Sequence, residues 1–89
     1  MKIIELDGSR MNSVENVHQY LKADSELPAY EGENLQDMRD MLSEISENTF
    51  IFVLNSERMQ AALGDYSSRI IKVWKDLEQE NKHLCFFMR

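Results

Sequence analysis

Hydrophobic positions along the chain change their period several times, and each change marks an element. Lys2 to Leu6 (KIIEL) is a short apolar run stopped by Asp7-Gly8, a turn signal, and predicts a strand. After it Asn12-Ser13 is a capping pair. Val14, Val17, His18 and Leu21 follow at i, i+3, i+4 and i+7, one face of a helix. Ala23 to Glu33 holds the only proline, Pro28, together with Gly32, and predicts an irregular loop. Asn34 then caps a second helix. Asp37 stands at its N3 position, where a carboxylate suits both a capping box and the helix dipole. Leu35, Met38, Met41, Leu42 and Ile45 form the apolar stripe of this helix; Gln36, Arg39, Asp40, Ser43, Glu44 and Glu47 point away from it.

Thr49 to Leu54 (TFIFVL) is an unbroken β-branched and aromatic run, the pattern of a strand buried on both faces. Ser56 is placed to cap a short third helix ending at Gly64, a C′ glycine. A fourth helix is expected from Tyr66 or Ser67 to about Asn81, with Ile70, Ile71, Trp74 and Leu77 inward. Leu84 to Met88 (LCFFM) reads as another buried strand. The order is β-α-α-β-α-α-β. Apolar strands separated by about 30 to 40 residues of helix imply parallel pairing through right-handed crossovers, hence one α/β domain over residues 1–89. No repeat, low-complexity segment or linker interrupts it.

The charge is unevenly distributed. The chain of 89 residues carries 16 Asp+Glu against 10 Lys+Arg, a net −6. Residues 24–47 hold eight acids and one base, Arg39, giving −7; residues 1–23 balance at three of each, and residues 48–89 carry six bases and five acids, +1. The excess negative charge therefore belongs to the loop and second helix. This sign disfavours nucleic acid as a direct ligand. No apolar run approaches the roughly 18–20 residues that span a bilayer, and the start of the chain does not read as a signal peptide, so no membrane contact is expected. One cysteine, Cys85, cannot form an internal disulfide, which points to a cytoplasmic setting.

Candidate chemistry is sparse. His18 lies on an apolar helical face and reads as a packed core residue, and His83 as a surface residue. Neither has a carboxylate or cysteine at metal-ligand spacing, so no metal or other cofactor is expected. Cys85 has no histidine partner and reads as a small hydrophobe. The carboxylates cluster on one helix without a nucleophile or phosphate-binding loop beside them, which argues against an enzyme.

One segment is more specific. Leu27-Pro28-Ala29-Tyr30-Glu31-Gly32-Glu33-Asn34-Leu35, followed by Asp40 and Leu42, resembles the barstar family, intracellular inhibitors of small ribonucleases. The likeness extends through Asp7-Gly8, Val17-His18-Gln19-Tyr20-Leu21, Val73-Trp74-Lys75-Asp76 and the last apolar strand, nearly the whole chain. It implies a two-layer α/β fold with a three-stranded parallel sheet in the order 1-2-3, packed against about four helices. It also implies a cytoplasmic, immunity-type inhibitor, a monomer when free, whose acidic loop and helix enter the active site of a cognate ribonuclease in a 1:1 complex and imitate RNA phosphate.

By this resemblance Asp40 is the central carboxylate inserted where phosphate binds, and Tyr30 the loop tyrosine that packs on the enzyme. Gly32 and Asn34 shape the contacting loop and helix start, and Asp76 is a peripheral acid on the fourth helix. Ser43 shares the exposed helix face. Three positions depart from the family: Gln36 replaces a second carboxylate, and Arg39 and Ile45 each replace a contact tryptophan. With Leu35 at i−4 and Ser43 at i+4, Arg39 has no ionic partner on its own helix, leaving its charge for an acidic group on the target. Aromatics and buried charges dominate such interfaces, so these departures suggest a ribonuclease other than barnase. The alternative is a toxin of another class, a DNA nuclease or a non-nuclease.

Overall fold

The computed structural model describes residues 1–89. Three strands, β1 (Lys2–Asp7), β2 (Thr49–Leu54) and β3 (Leu84–Met88), pair in parallel in the order β1-β2-β3. Parallel neighbours cannot be joined by a hairpin, and the crossovers are helical. These are α1 (Val14–Ala23) and α2 (Leu35–Ser43) between β1 and β2, and α3 (Ser56–Leu63) and α4 (Asp65–Glu80) between β2 and β3. A short 3₁₀ turn at Gly8–Arg10 leads out of β1. The fold is the expected two-layer α/β arrangement.

Alternation along the strands aims Ile4, Leu6, Ile51, Val53 and Leu84 at the helices, all of them 5% exposed or less. There they meet Val17 and Leu21 of α1, Met38, Met41 and Leu42 of α2, Met59 of α3, and Ile70, Trp74 and Leu77 of α4. Trp74 stacks on Phe86 with ring centroids 5.3 Å apart and planes within 10°. Four of the six methionines, Met11, Met38, Met41 and Met59, are buried, where flexible thioethers fill gaps between helices of different tilt.

Two helix starts are capped as predicted. The Ser13 hydroxyl accepts the Asn16 N–H at 3.0 Å, and the Asn34 side-chain oxygen accepts the Asp37 N–H at 2.8 Å. The third is not. Asn55, at φ 55° and ψ 39°, precedes α3, and Ser56 is its buried first residue with no side-chain cap. Asn55 instead donates its amide to the Asp7 carboxylate at 3.0 Å, tying the ends of β1 and β2 together. That bond and two from Ser9 hold the Asp7 carboxyl below the usual range, the Ser9 hydroxyl contributing most. Gly64 ends α3 as expected, at φ 57°, a conformation few side chains tolerate. The next helix starts at once, at Asp65, ahead of the expected Tyr66 or Ser67.

A larger correction concerns burial of the sheet. In β2 one face is fully buried and the other only half so, while β3 becomes exposed toward its end, with Phe87 at 41%. Right-handed crossovers that step the same way across the order 1-2-3 put every helix on one face. The apolar run of β2 suggested cover on both sides, but Phe50, Phe52 and Leu54 face outward, half-buried mainly by neighbouring strands.

Ile51 lies in the central strand and is fully buried, so truncating it leaves a cavity in the core. Ile51→Ala is expected to lower stability by about 2–5 kcal/mol in urea unfolding, with the slope unchanged.

Candidate functional site

The acidic loop is fixed to the body of the protein by its apolar residues. Leu27 and Tyr30 are buried in the common core, and the Lys2 ammonium donates to the Glu26 carbonyl at 2.6 Å. Beneath the loop lies His18, 3% exposed, with both ring nitrogens engaged. Nδ1 is 2.6 Å from the Tyr30 hydroxyl and Nε2 is 2.8 Å from the Tyr66 hydroxyl. The Tyr30 hydroxyl donates to the Asn34 carbonyl at 3.3 Å, so its oxygen accepts from Nδ1–H. The Tyr66 hydroxyl then donates to Nε2. One neutral imidazole thus links α1, the loop, the start of α2 and the start of α4.

Burial, and secondarily the Lys22 charge, push the His18 pKa down, against a weaker upward pull from Asp37 and Glu33. The same burial, reinforced by Asp37, pushes the Tyr30 phenol up to about 12, and it also raises Tyr66. These groups keep their protons where the bonding pattern requires.

Gly32 completes the junction. A Cβ there would stand 2.2 Å from Asp37 Cβ and 2.6 Å from a Tyr30 ring carbon, so only glycine lets the loop pass this close to α2. The Asp37 carboxylate accepts the Glu33 N–H at 3.2 Å, reaching one residue beyond the expected capping box.

Beyond this junction α2 buries Met38, Met41 and Leu42 and exposes Gln36, Asp40, Ser43 and Glu44. The Gln36 amide donates to Asp40 Oδ1 at 2.9 Å, orienting an exposed carboxylate while leaving its second oxygen free. Ser43 donates its hydroxyl to the Asp40 carbonyl at 2.8 Å. A surface hollow of about 330 Å³ opens beside Asp40, with the acids Glu31, Asp37 and Glu44 around it and Tyr30 and Met41 in its apolar floor. A flat cation with an aliphatic stem, such as an arginine side chain, matches that lining. A larger hollow near 640 Å³ lies between Ser9, Asn12, Asn16 and Gln19, but it gathers only Asp24 and an Arg10 stacked on Tyr20.

One expectation is corrected by these positions, and the other candidate residues are placed as follows. Arg39 is not free: its guanidinium forms an ion pair with Glu80 on α4, a contact 41 residues away in sequence. The pair is partly solvated and contributes no more than about 1 kcal/mol, but it removes Arg39 as an unpaired positive charge. Tyr30 is 7% exposed and lines the hollow. Its part in the free protein is positioning. Ile45 lies just past the end of α2, half-buried against the core, and its carbonyl accepts from the Asn81 amide at 3.0 Å. Asp76 pairs with Lys72 at 3.2 Å, which offsets its charge. Asn34 serves the helix cap. Gln36, Asp40 and Ser43 are brought together on the exposed face of α2, with the hollow beside Asp40.

A family model described as "Barstar (barnase inhibitor)" matches residues 1–89. A protein of Bacillus subtilis (strain 168) described as "Putative ribonuclease inhibitor YrdF" is 30% identical over 83 residues, 92% of this chain and 91% of that protein. Fold, loop motif and family match agree: the chain belongs to the barstar family. Proteins of this family are inhibitors, and the chain is not an enzyme. No helix is long and apolar enough to cross a membrane.

Two outcomes follow from the junction. Because the His18 pKa lies below 6.5 in the folded state, the unfolded chain takes up the proton more readily as pH falls through 6.5. Stability is full above about pH 6.5 and declines below it; His18→Gln should lower stability at pH 7.5 and flatten this pH dependence, read by urea unfolding across pH 5–8. Gly32→Ala should cost about 1–3 kcal/mol and loosen the loop, visible as faster amide exchange at residues 30–34.

Proposed function

We propose that this protein is a cytoplasmic, immunity-type inhibitor that blocks the active site of a small microbial ribonuclease, one inhibitor to one enzyme. The observation that carries the reading is Asp40: an exposed carboxylate, oriented by Gln36, beside an acidic hollow with an apolar floor. Ribonuclease sites hold RNA phosphate with cationic groups, and a carboxylate on a rigid helix offers them the same charge in the same place. Concentrating the −7 on one loop and helix also steers a basic enzyme toward this face.

The departures at Arg39 and Ile45 support a target other than barnase. Neither supplies an aromatic anchor, and Arg39 is held by Glu80. The same observation favours, as a second reading, a toxin of another class, such as a DNA nuclease, met by the same acidic face. Enzymes encoded beside this protein, assayed with RNA and DNA substrates, separate the two.

Purified protein titrated into such a ribonuclease should abolish RNA cleavage at equimolar ratio. Asp40→Ala should weaken binding by about 2–5 kcal/mol, the general range for truncating one partner of a desolvated charge pair, a range to which barnase–barstar data themselves contribute. Raising salt should slow association far more than dissociation. Inhibition that survives Asp40→Ala unchanged would falsify the proposed anchor.

A further inference from the structure

The sheet face turned away from the helices is apolar, aromatic and uncovered. Strand register aligns Ile3, Phe50 and Cys85 in one row and Glu5, Phe52 and Phe87 in the next. Phe87 lies stacked against Phe52 at 5.0 Å and touches Phe50 at 5.7 Å, yet it is 41% exposed, and Ile3 is 55% exposed. The strand edges, by contrast, are partly closed. The Glu78 carboxylate accepts the Phe86 N–H at 2.7 Å on the β3 side, and the Tyr20 hydroxyl accepts the Asp7 N–H at 2.8 Å on the β1 side. Edge-to-edge pairing is thereby hindered while the face stays open.

Charge on this face is split. Glu5 lies on the β1 side, sharing a surface hollow with Asp24 and Glu26. Arg89, following β3, holds its guanidinium over the Phe52 ring at 5.5 Å. Neither Glu5 nor Arg89 forms an ion pair within the chain. A twofold axis running along the strands, midway between two such faces, sets β2 over β2 and β1 over β3 of the second copy. Glu5 of each copy then faces the strand that carries Arg89 of the other. The alternative axis, across the strands, sets β1 over β1 and opposes acid to acid.

We propose that this face binds a second copy of the chain, giving an isologous dimer with the phenylalanines packed at its centre and two Glu5–Arg89 pairs at its sides. The family resemblance implied a free monomer; the open aromatic face of this chain points to self-association instead. The Asp40 face lies with the helices and remains free in both copies, so the dimer does not depend on the inhibitor reading.

Sedimentation equilibrium of the free protein from micromolar to millimolar concentration tests this. The expected result is a concentration-dependent mass rising toward twice that of the chain. Phe87→Lys should be monomeric where the wild type is dimeric, with unchanged far-UV circular dichroism. Glu5→Arg should weaken association about tenfold or more, and adding Arg89→Glu should restore it to within a few-fold. A monomer throughout, as expected if the face serves an unrelated protein instead, overturns the proposal. So does association indifferent to Phe87→Lys, or a charge swap that fails to recover.

Discussion

A buried imidazole that bonds to two tyrosines at once is the constraint on which the acidic face depends. His18 sits where α1, the 24–34 loop and the starts of α2 and α4 converge, and its two bonds fix Tyr30 and Tyr66 relative to one another. Without them the loop would be a proline- and glycine-containing segment held mainly by Leu27. With them, loop and helix start form one rigid unit, and Gly32 lets the two approach as closely as their backbones allow. Rigidity matters because ordering a loop at the moment of binding subtracts directly from affinity. The stabilising contact and the acidic surface are thus two sides of one short segment.

Electrostatics act on this scaffold at two scales. Over the whole molecule, a net charge of −6 placed almost entirely on one loop and helix produces a directional field. On α2 a neutral donor does the arranging, Gln36 orienting Asp40 without adding a like charge beside it, while on α4 the Lys72 ammonium offsets Asp76. Arg39, the lone base of the acidic stretch, is drawn back to α4 by Glu80 and joins the two helices. The face presented outward is therefore more uniformly negative than the residue list suggests.

Local signals in the sequence carried most of the fold. The sequence pattern located the three strands and four α-helices but not the 3₁₀ turn at Gly8–Arg10, and the Ser13 and Asn34 caps were legible because a cap is a contact between residues three apart. The failures have a common physical origin in contacts distant along the chain. Nothing near Arg39 announces Glu80, and nothing near His18 announces Tyr66, 48 residues on. The continuous apolar run of β2 implied cover on both faces, but its aromatics are shielded by their strand neighbours and the face stays open. At the site, Asp40 stood out only through the motif around it. The Gln36–Asp40 spacing was visible, yet Gln36 read as a missing acid and not as a donor to the acid that remains.

A buried hydrogen-bond hub presents a preformed acidic face. The most direct measurement is the crystal structure of this protein bound to a ribonuclease that it inhibits. It should show the Asp40 carboxylate among cationic side chains of the enzyme's phosphate-binding site, with the Tyr30 hydroxyl still bonded to His18. An enzyme seated on another face, or Tyr30 swung out of the core to meet it, would contradict the account.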